Sequence, residues 1–227
     1  MALRGATEKT PAVCLSIARW SRTSHVVRWL TPGGRVDTAV KGAVRPKSMF
    51  LGQYDLNYTC ETVYYANEHG GLHALRECAP LKMREELRGD WRKLAVAAHF
   101  REVAAQLAPP GREARGWFAL LDAALDSLAA GGPLLQAIVR FETQALRLAG
   151  LAPETEAESG FFTLRGERSI PVPREVAQCL ADPSAEKKTK ILLDTARVIG
   201  VFYDFHLDGA PKTRRTAVEA ATTNAKG

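Results

Sequence analysis

Residues 25–48 read HVVRWLTPGGRVDTAVKGAVRPKS. His25 to Thr31 is rich in Val, Trp and Leu, Pro32-Gly33-Gly34 is a turn signal, and Arg35 to Lys41 sets Val36, Thr38 and Val40 on one face. The pattern predicts two strands joined by a tight turn. The second runs directly into Lys41-Gly42-Ala43-Val44-Arg45-Pro46-Lys47-Ser48, which puts three cations around a Gly and a Pro.

More strands flank this pair. Upstream, Val13, Leu15 and Ile17 alternate with smaller or polar neighbours and predict a strand with those three on its apolar face. Downstream, Tyr54, Leu56, Tyr58 and Cys60 alternate with Asp55, Asn57, Thr59 and Glu61. A loop at Asn67 to Gly71 then precedes Leu72 to Cys78. Five short strands within residues 1–79 match the size of a five-stranded Greek-key barrel of the OB type.

The pattern changes near Pro80. Asp90 is a candidate N-cap for a helix from Trp91 to Ala108, stopped by Pro109-Pro110-Gly111. Glu113 to Ala130 predicts a second helix, with Trp117, Leu120, Leu121, Ala124, Leu125 and Leu128 on its buried stripe. Gly131-Gly132-Pro133 breaks it, and a third helix runs to Ala149 before Gly150. The expectation is an α+β chain: an OB barrel over 1–79, a helical bundle over 80–150 and a small C-terminal region over 151–208. In that region a loop with a short strand or hairpin precedes a brief helix opened by Pro173 and a longer one capped by Ser184. Residues 209–227 read as a mobile basic tail.

Composition narrows the function. The chain has 227 residues and is 46% hydrophobic, enough to bury a core, so a disordered chain is excluded. No stretch has the apolar length of a membrane span, and Met1 to Thr10 lacks the apolar core of a signal peptide. A soluble, cytoplasmic, nucleoid-associated protein is expected. Cys14, Cys60, Cys78 and Cys179 are too widely spaced for a disulfide framework or a paired-thiolate zinc knuckle and read as structural.

Charge is concentrated. Residues 11–48 hold Arg19, Arg22, Arg28, Arg35, Lys41, Arg45 and Lys47 against Asp37 alone, which leaves +6, the formal charge of the whole chain. Trp20, Trp29, Tyr54, Tyr58, Tyr64 and Tyr65 are interleaved with these cations. Cations that reach phosphates beside rings that stack on bases are what a nucleic-acid surface needs. A solvated charged face over an aromatic core is the other reading, and the near absence of acids across 38 residues favours binding. Lys41, Arg45 and Lys47, supported by Arg19, Arg22, Arg28, Arg35 and Tyr54, are the predicted DNA-binding residues.

No catalytic or metal constellation emerges. The sequence has no phosphate-binding Walker loop, no serine-nucleophile elbow and no zinc-protease helix motif. His69, His73 and Cys78 match no zinc spacing, Glu154, Glu156 and Glu158 read as a solvated linker, and His206 as a surface or capping histidine. No enzyme activity, metal or cofactor is predicted. In the helical region Trp91, Phe100, Trp117 and Phe118, framed by Arg92, Lys93, Arg101, Arg112 and Arg115, suggest a groove for an acidic, apolar peptide.

With these residues in view, the chain resembles the RecO family of bacterial recombination mediators over residues 11–208. The marks are Arg19-Trp20 and Ser24, Trp29-Leu30-Thr31, Gly34, Val40-Lys41-Gly42-Ala43 with Arg45 and Lys47-Ser48, and Gln53-Tyr54. Later marks are Phe141-Glu142 and Leu148 through Glu154. The resemblance implies an OB domain, a helical domain, binding to single- and double-stranded DNA, annealing of complementary strands and assistance to recombinase loading. It implies as partners RecR and the acidic C-terminal tail of single-strand-binding protein, with RecF and the recombinase as further ones. Two departures stand out. The position of the family's four-cysteine zinc module reads Glu154 to Gly160 without cysteine, and Arg22 replaces an acid common in its loop. An RNA-binding OB module and a metal-dependent nuclease are the rival readings.

Overall fold

The structure, a computed structural model, describes residues 6–109, 114–152, 154–156, 160–164, 168–186, 188–207 and 209–223. Five strands, β1 (Thr7–Arg19), β2 (His25–Thr31), β3 (Gly34–Val40), β4 (Thr59–Tyr65) and β5 (His73–Lys82), close into a barrel in the order β1-β2-β3-β5-β4. All neighbours are antiparallel except β3 and β5, whose parallel pairing (Thr38 with His73, Ala39 with Ala74) completes the circuit. This is the OB-type barrel that five short strands predict.

The long β1 closes the barrel by serving two neighbours. Thr7–Val13 pairs with β4, and Val13–Arg19 pairs with β2. A bulge between Cys14 and Ser16 lets the strand bend from one to the other. It also changes the inward parity, since one extra residue moves every later side chain to the other face. Ala12 and Cys14 point into the barrel core, and beyond the bulge Ile17 packs against it. The sequence places Val13, Leu15 and Ile17 on one face. The bulge separates them, and Ala12 through Leu15 are buried in a row.

The core is completed by Val27, Trp29, Val40, Ala43, Phe50, Tyr58, Cys60, Tyr64, Leu75 and Cys78. Trp29 Nε1 donates to Thr38 Oγ1 at 2.8 Å, which satisfies its polar atom in the interior. Tyr54–Tyr58, predicted as the start of a strand, instead forms turns before β4. There Asn57 takes a left-handed φ of 69° and Tyr58 N donates to Asp55 O. All four cysteines are free and buried.

Three helices follow: α1 (Trp91–Leu107), α2 (Arg115–Ala129) and α3 (Leu134–Leu148). Asp90 caps α1 through Oδ1, which accepts from Arg92 N at 2.9 Å. Residues 110–113, part of the predicted break between α1 and α2, lie outside the described residues. A three-stranded antiparallel sheet follows, β6 (Glu154–Glu156), β7 (Phe161–Leu164) and β8 (Arg168–Pro171), then α4 (Arg174–Ala181), α5 (Thr189–His206) and α6 (Arg214–Thr222). Ser184 does not cap α5. It sits in a turn in which its N donates to Asp182 Oδ1, and the helix begins five residues later. The segment predicted as a mobile tail contains α6, anchored by Arg214.

The chain divides into two compact units, Met1–Glu85 with Ala104–Leu125, and Glu86–Val103 with Asp126–Gly227. In the first unit Arg84, at φ 53°, is buried and donates to Asn57 O (2.6 Å), Thr59 Oγ1 (3.0 Å) and Asp122 Oδ1 (2.5 Å). In the second, Phe100 stacks on Phe141 at 4.1 Å, and Phe162 meets Phe202 edge-on at 5.8 Å. Gly160 is required where it stands: its φ is 75°, and a Cβ there would come 2.7 Å from Val172 O.

Candidate nucleic-acid interface

Two connections of the barrel come together at one place. The first is Trp20–Ser24, between β1 and β2. Trp20 N and Ser21 N both donate to Ser24 O, at 3.0 and 3.2 Å, and Thr23 N donates to Ser21 Oγ at 3.3 Å. The second is the loop after β3. Gly42 N donates to Ser24 Oγ at 3.2 Å and Val44 N to Thr23 O at 3.3 Å, which fastens this loop to the first. Within it, Arg45 N returns to Gly42 O at 3.1 Å and Ser48 N to Arg45 O at 2.9 Å, so the cationic segment is a set of turns.

Gly42 has φ 69°, and a Cβ there would come 3.2 Å from Arg45 Cδ. The missing side chain leaves room for the Arg45 stem to lie across the loop. Between the two connections opens a cleft of about 460 Å³ lined by Trp20, Ser21, Ser24, Lys41, Gly42 and Arg45.

The predicted binding residues fall into three groups. Lys41 and Arg45 line the cleft, and Lys47 is exposed two residues further along the same loop. Arg19 and Arg22 are exposed on the other connection, where Arg19 Nη2 donates to Arg22 O at 3.5 Å. Among the described residues none of these five meets a carboxylate. Arg28 and Arg35 are engaged elsewhere. Arg28 forms a two-pronged pair with Asp37, both bonds 2.9 Å, and the hydrogen bond from Arg28 to Asp37 pushes the guanidinium pKa up. Arg35 Nη1 donates to Ala105 O.

Of the aromatic residues interleaved with the cations, the fold hides most. Trp29 is 1% exposed, and Tyr58 and Tyr64 belong to the core. Tyr54 is half-buried, its hydroxyl 2.8 Å from His25 Nδ1 and its ring edge-on to Trp29. Burial pushes its phenol pKa up. Trp20 alone of this group lines the cleft, 54% exposed. The sequence names Trp20 among the rings that could stack on bases, but neither Trp20 nor Ser24 is among the predicted DNA-binding residues. What sets Trp20 and Ser24 apart from the other rings and serines is the meeting of the two connections, which no short stretch of sequence shows.

The other candidates disperse. His73 Nδ1 accepts from Asn67 N at 2.8 Å, while Cys78 lies in the barrel core. Among the described residues no three His, Cys, Asp or Glu stand close enough to hold a metal ion. Residues 157–159, within the zinc-module position, lie outside those described. The His206 ring packs on Phe202 and Phe205. Of the residues expected to frame a peptide groove, Phe100 and Trp117 are buried, Arg92 pairs with Asp90, and Trp91 is exposed. Arg112 lies outside the described residues. No helix among those described is long and apolar enough to cross a membrane.

Sequence comparison agrees with this architecture. The family model for the recombination protein O C-terminal region matches residues 88–180. The chain is 30% identical over 146 residues to DNA repair protein RecO of Moorella thermoacetica, which covers 64% of this chain and 54% of that protein. It is 30% identical over 150 residues to DNA repair protein RecO of Anaeromyxobacter sp. strain K, covering 66% and 59%. A third relative, DNA repair protein RecO of Rhodopirellula baltica, is 29% identical over 149 residues. The matched segment thus spans a little over half the length of these curated relatives. The barrel order, the helices after it and these matches agree in what they point to: over this segment the chain is similar to RecO proteins, and its residues 88–180 match their C-terminal family model.

Proposed function

We propose that this chain is a non-catalytic mediator of recombinational DNA repair. It binds single- and double-stranded DNA, anneals complementary strands and, with RecR, assists recombinase loading onto DNA coated with single-strand-binding protein. The observation that carries this reading is the cleft where Lys41 and Arg45 stand away from any described carboxylate, in a chain similar to RecO proteins. The acidic tail of the coating protein, RecF and the recombinase are the further partners it implies.

The mechanism is electrostatic. Lys41, Arg45, Lys47, Arg19 and Arg22 neutralise phosphates and release the counterions condensed on them. Such contacts position a strand without reading its sequence. Arg28, balanced by Asp37, and Arg35, held by a carbonyl, add little direct contact. Tyr54 acts only indirectly, through its hydrogen bond with His25, the neighbour of Ser24. Two strands held on one cationic surface repel each other less, and base pairing then selects the partner. No covalent bond changes, so no step calls for a catalytic group.

The test is annealing of complementary oligonucleotides coated with the cognate single-strand-binding protein. The chain should accelerate it, and Lys41→Ala/Arg45→Ala should remove the acceleration. No acceleration by the unmodified chain overturns the reading. Competition by single-stranded RNA stronger than that by DNA would favour an RNA-binding module. Cleavage of labelled DNA with magnesium or manganese would favour a nuclease.

A further inference from the structure

Trp20 has a role that phosphate neutralisation leaves unused. Its backbone is held by the 3.0 Å bond to Ser24 O, yet the residue is 54% exposed and its ring makes no ring contact among the described residues. A large indole kept in water on a fixed backbone is a preformed surface that loses little freedom on binding. Across the cleft stand Lys41 and Arg45. Gly42, tied to Ser24 Oγ, lies beneath the Arg45 stem and fastens the cation-bearing loop to the connection that carries Trp20. The cleft therefore offers an exposed indole from one connection and two cations from the other. Its volume, about 460 Å³, is that of a small-ligand pocket. A duplex buries its bases in its own stack and offers such a cleft only phosphates.

Resting on the DNA-binding reading above, we propose that this cleft takes one unpaired base of single-stranded DNA, stacked on Trp20, with its flanking phosphates on Lys41 and Arg45. Stacking is tolerant of sequence because every base has a π-face. The cleft thereby gives the surface a preference for single strands over duplex, which uses the cations alone.

The experiment measures binding of the full chain to three fluorescein-labelled probes of equal length: oligo-dT, the same backbone with abasic sites in place of the bases, and a blunt duplex. Trp20→Ala should weaken oligo-dT binding by about five- to a hundredfold and leave the abasic and duplex probes unchanged. Trp20→Phe should recover part of the loss. Equal weakening on all three probes, or no weakening on any, overturns the stacking assignment. Lys41→Ala/Arg45→Ala should weaken all three. If it weakens none, the DNA-binding reading fails, which separates that failure from failure of the Trp20 assignment. Circular dichroism and thermal melting of each variant establish that the barrel is folded.

Discussion

Arg214 grips Glu142 with two bonds, Nε to Oε1 at 2.6 Å and Nη2 to Oε2 at 3.0 Å, and so fixes α6 to α3. Glu142 is wholly buried, and His99 Nε2, itself buried, donates to Oε1 at 2.9 Å. Arg214 also donates to Ala196 O on α5 at 2.6 Å. Glu102 receives the amide groups of Lys212 and Thr213 just before α6, at 3.0 and 2.8 Å. A carboxylate there offsets the positive end of the helix dipole.

Removing one partner of a buried pair strands the other charge in a low dielectric. Arg214→Ala should cost about 3–5 kcal/mol of stability. Denaturant unfolding would measure the loss, and hydrogen exchange should show the α6 amides losing protection. A loss within about 0.5 kcal/mol, the range of ordinary surface substitutions, would mean that the pair does not hold the helix.

Glu142 also sets a pH dependence. Burial acts to raise its carboxyl pKa, but the His99 hydrogen bond and the Arg214 charge outweigh burial and hold it below the ordinary 4.5. A carboxyl depressed in the folded state contributes stability that is complete above its unfolded value and lost as pH falls through the folded one. The stability of the native chain should therefore decline below pH 4.5. His99 and Arg214 bond this carboxylate and Tyr203 feels its charge, and Glu142→Gln removes only its own titration. Unfolding midpoints of the two proteins across this range should converge as the medium becomes acidic.

Gly200 gives a test with an unusual sign. Ala in place of a mid-helix Gly ordinarily stabilises by about 0.5–1 kcal/mol. A Cβ on Gly200 would stand 2.9 Å from Arg214 Nη1, whose position is set by Glu142 and Ala196. Gly200→Ala should destabilise the native chain and turn stabilising in the Arg214→Ala background. A double-mutant cycle on thermal melting reads the reversal.

In the barrel unit Asp122 has the corresponding role. It accepts from Arg84 (2.5 Å), Thr59 (2.5 Å) and Lys82 (2.6 Å). Burial acts to raise its carboxyl pKa, but these bonds keep it below the ordinary range. Asp122→Ala leaves the buried Arg84 without its carboxylate and should cost about 3–5 kcal/mol by chemical denaturation.

The basic loop predicts a salt effect. Replacing Lys41, Arg45 and Lys47 together by Ala should flatten the slope of log affinity against log salt by about 2 on single-stranded DNA and by nearly 3 on duplex. Fluorescence anisotropy across a salt series would measure it, and an unchanged slope would remove the three from the contact set.

Much of the fold was legible because it rests on local chemistry. The β2–turn–β3 stretch, the strand content before Pro80, the three helices and the cap at Asp90 follow from periodicity and punctuation within a few residues. The inward face of β1 was not, because the bulge after Cys14 changes parity without a sequence mark of its own. The small, basic composition of residues 209–227 reads as a tail, yet α6 is held by a glutamate more than seventy residues earlier.

The sequence by itself determined the concentration of positive charge in residues 11–48, the Gly-Pro loop that carries its centre, and the class of barrel that bears it. Tertiary structure alone decided which of those groups are paired, which are buried and which line a cleft. It set Arg28 against Asp37 and Arg35 on a carbonyl, buried Trp29, Tyr58 and Tyr64, and brought Trp20 across from Lys41 and Arg45. The physical reason is that local preference depends on neighbours in the chain. Exposure and pairing depend on residues the barrel brings together from separate strands, and no short window of sequence holds both partners.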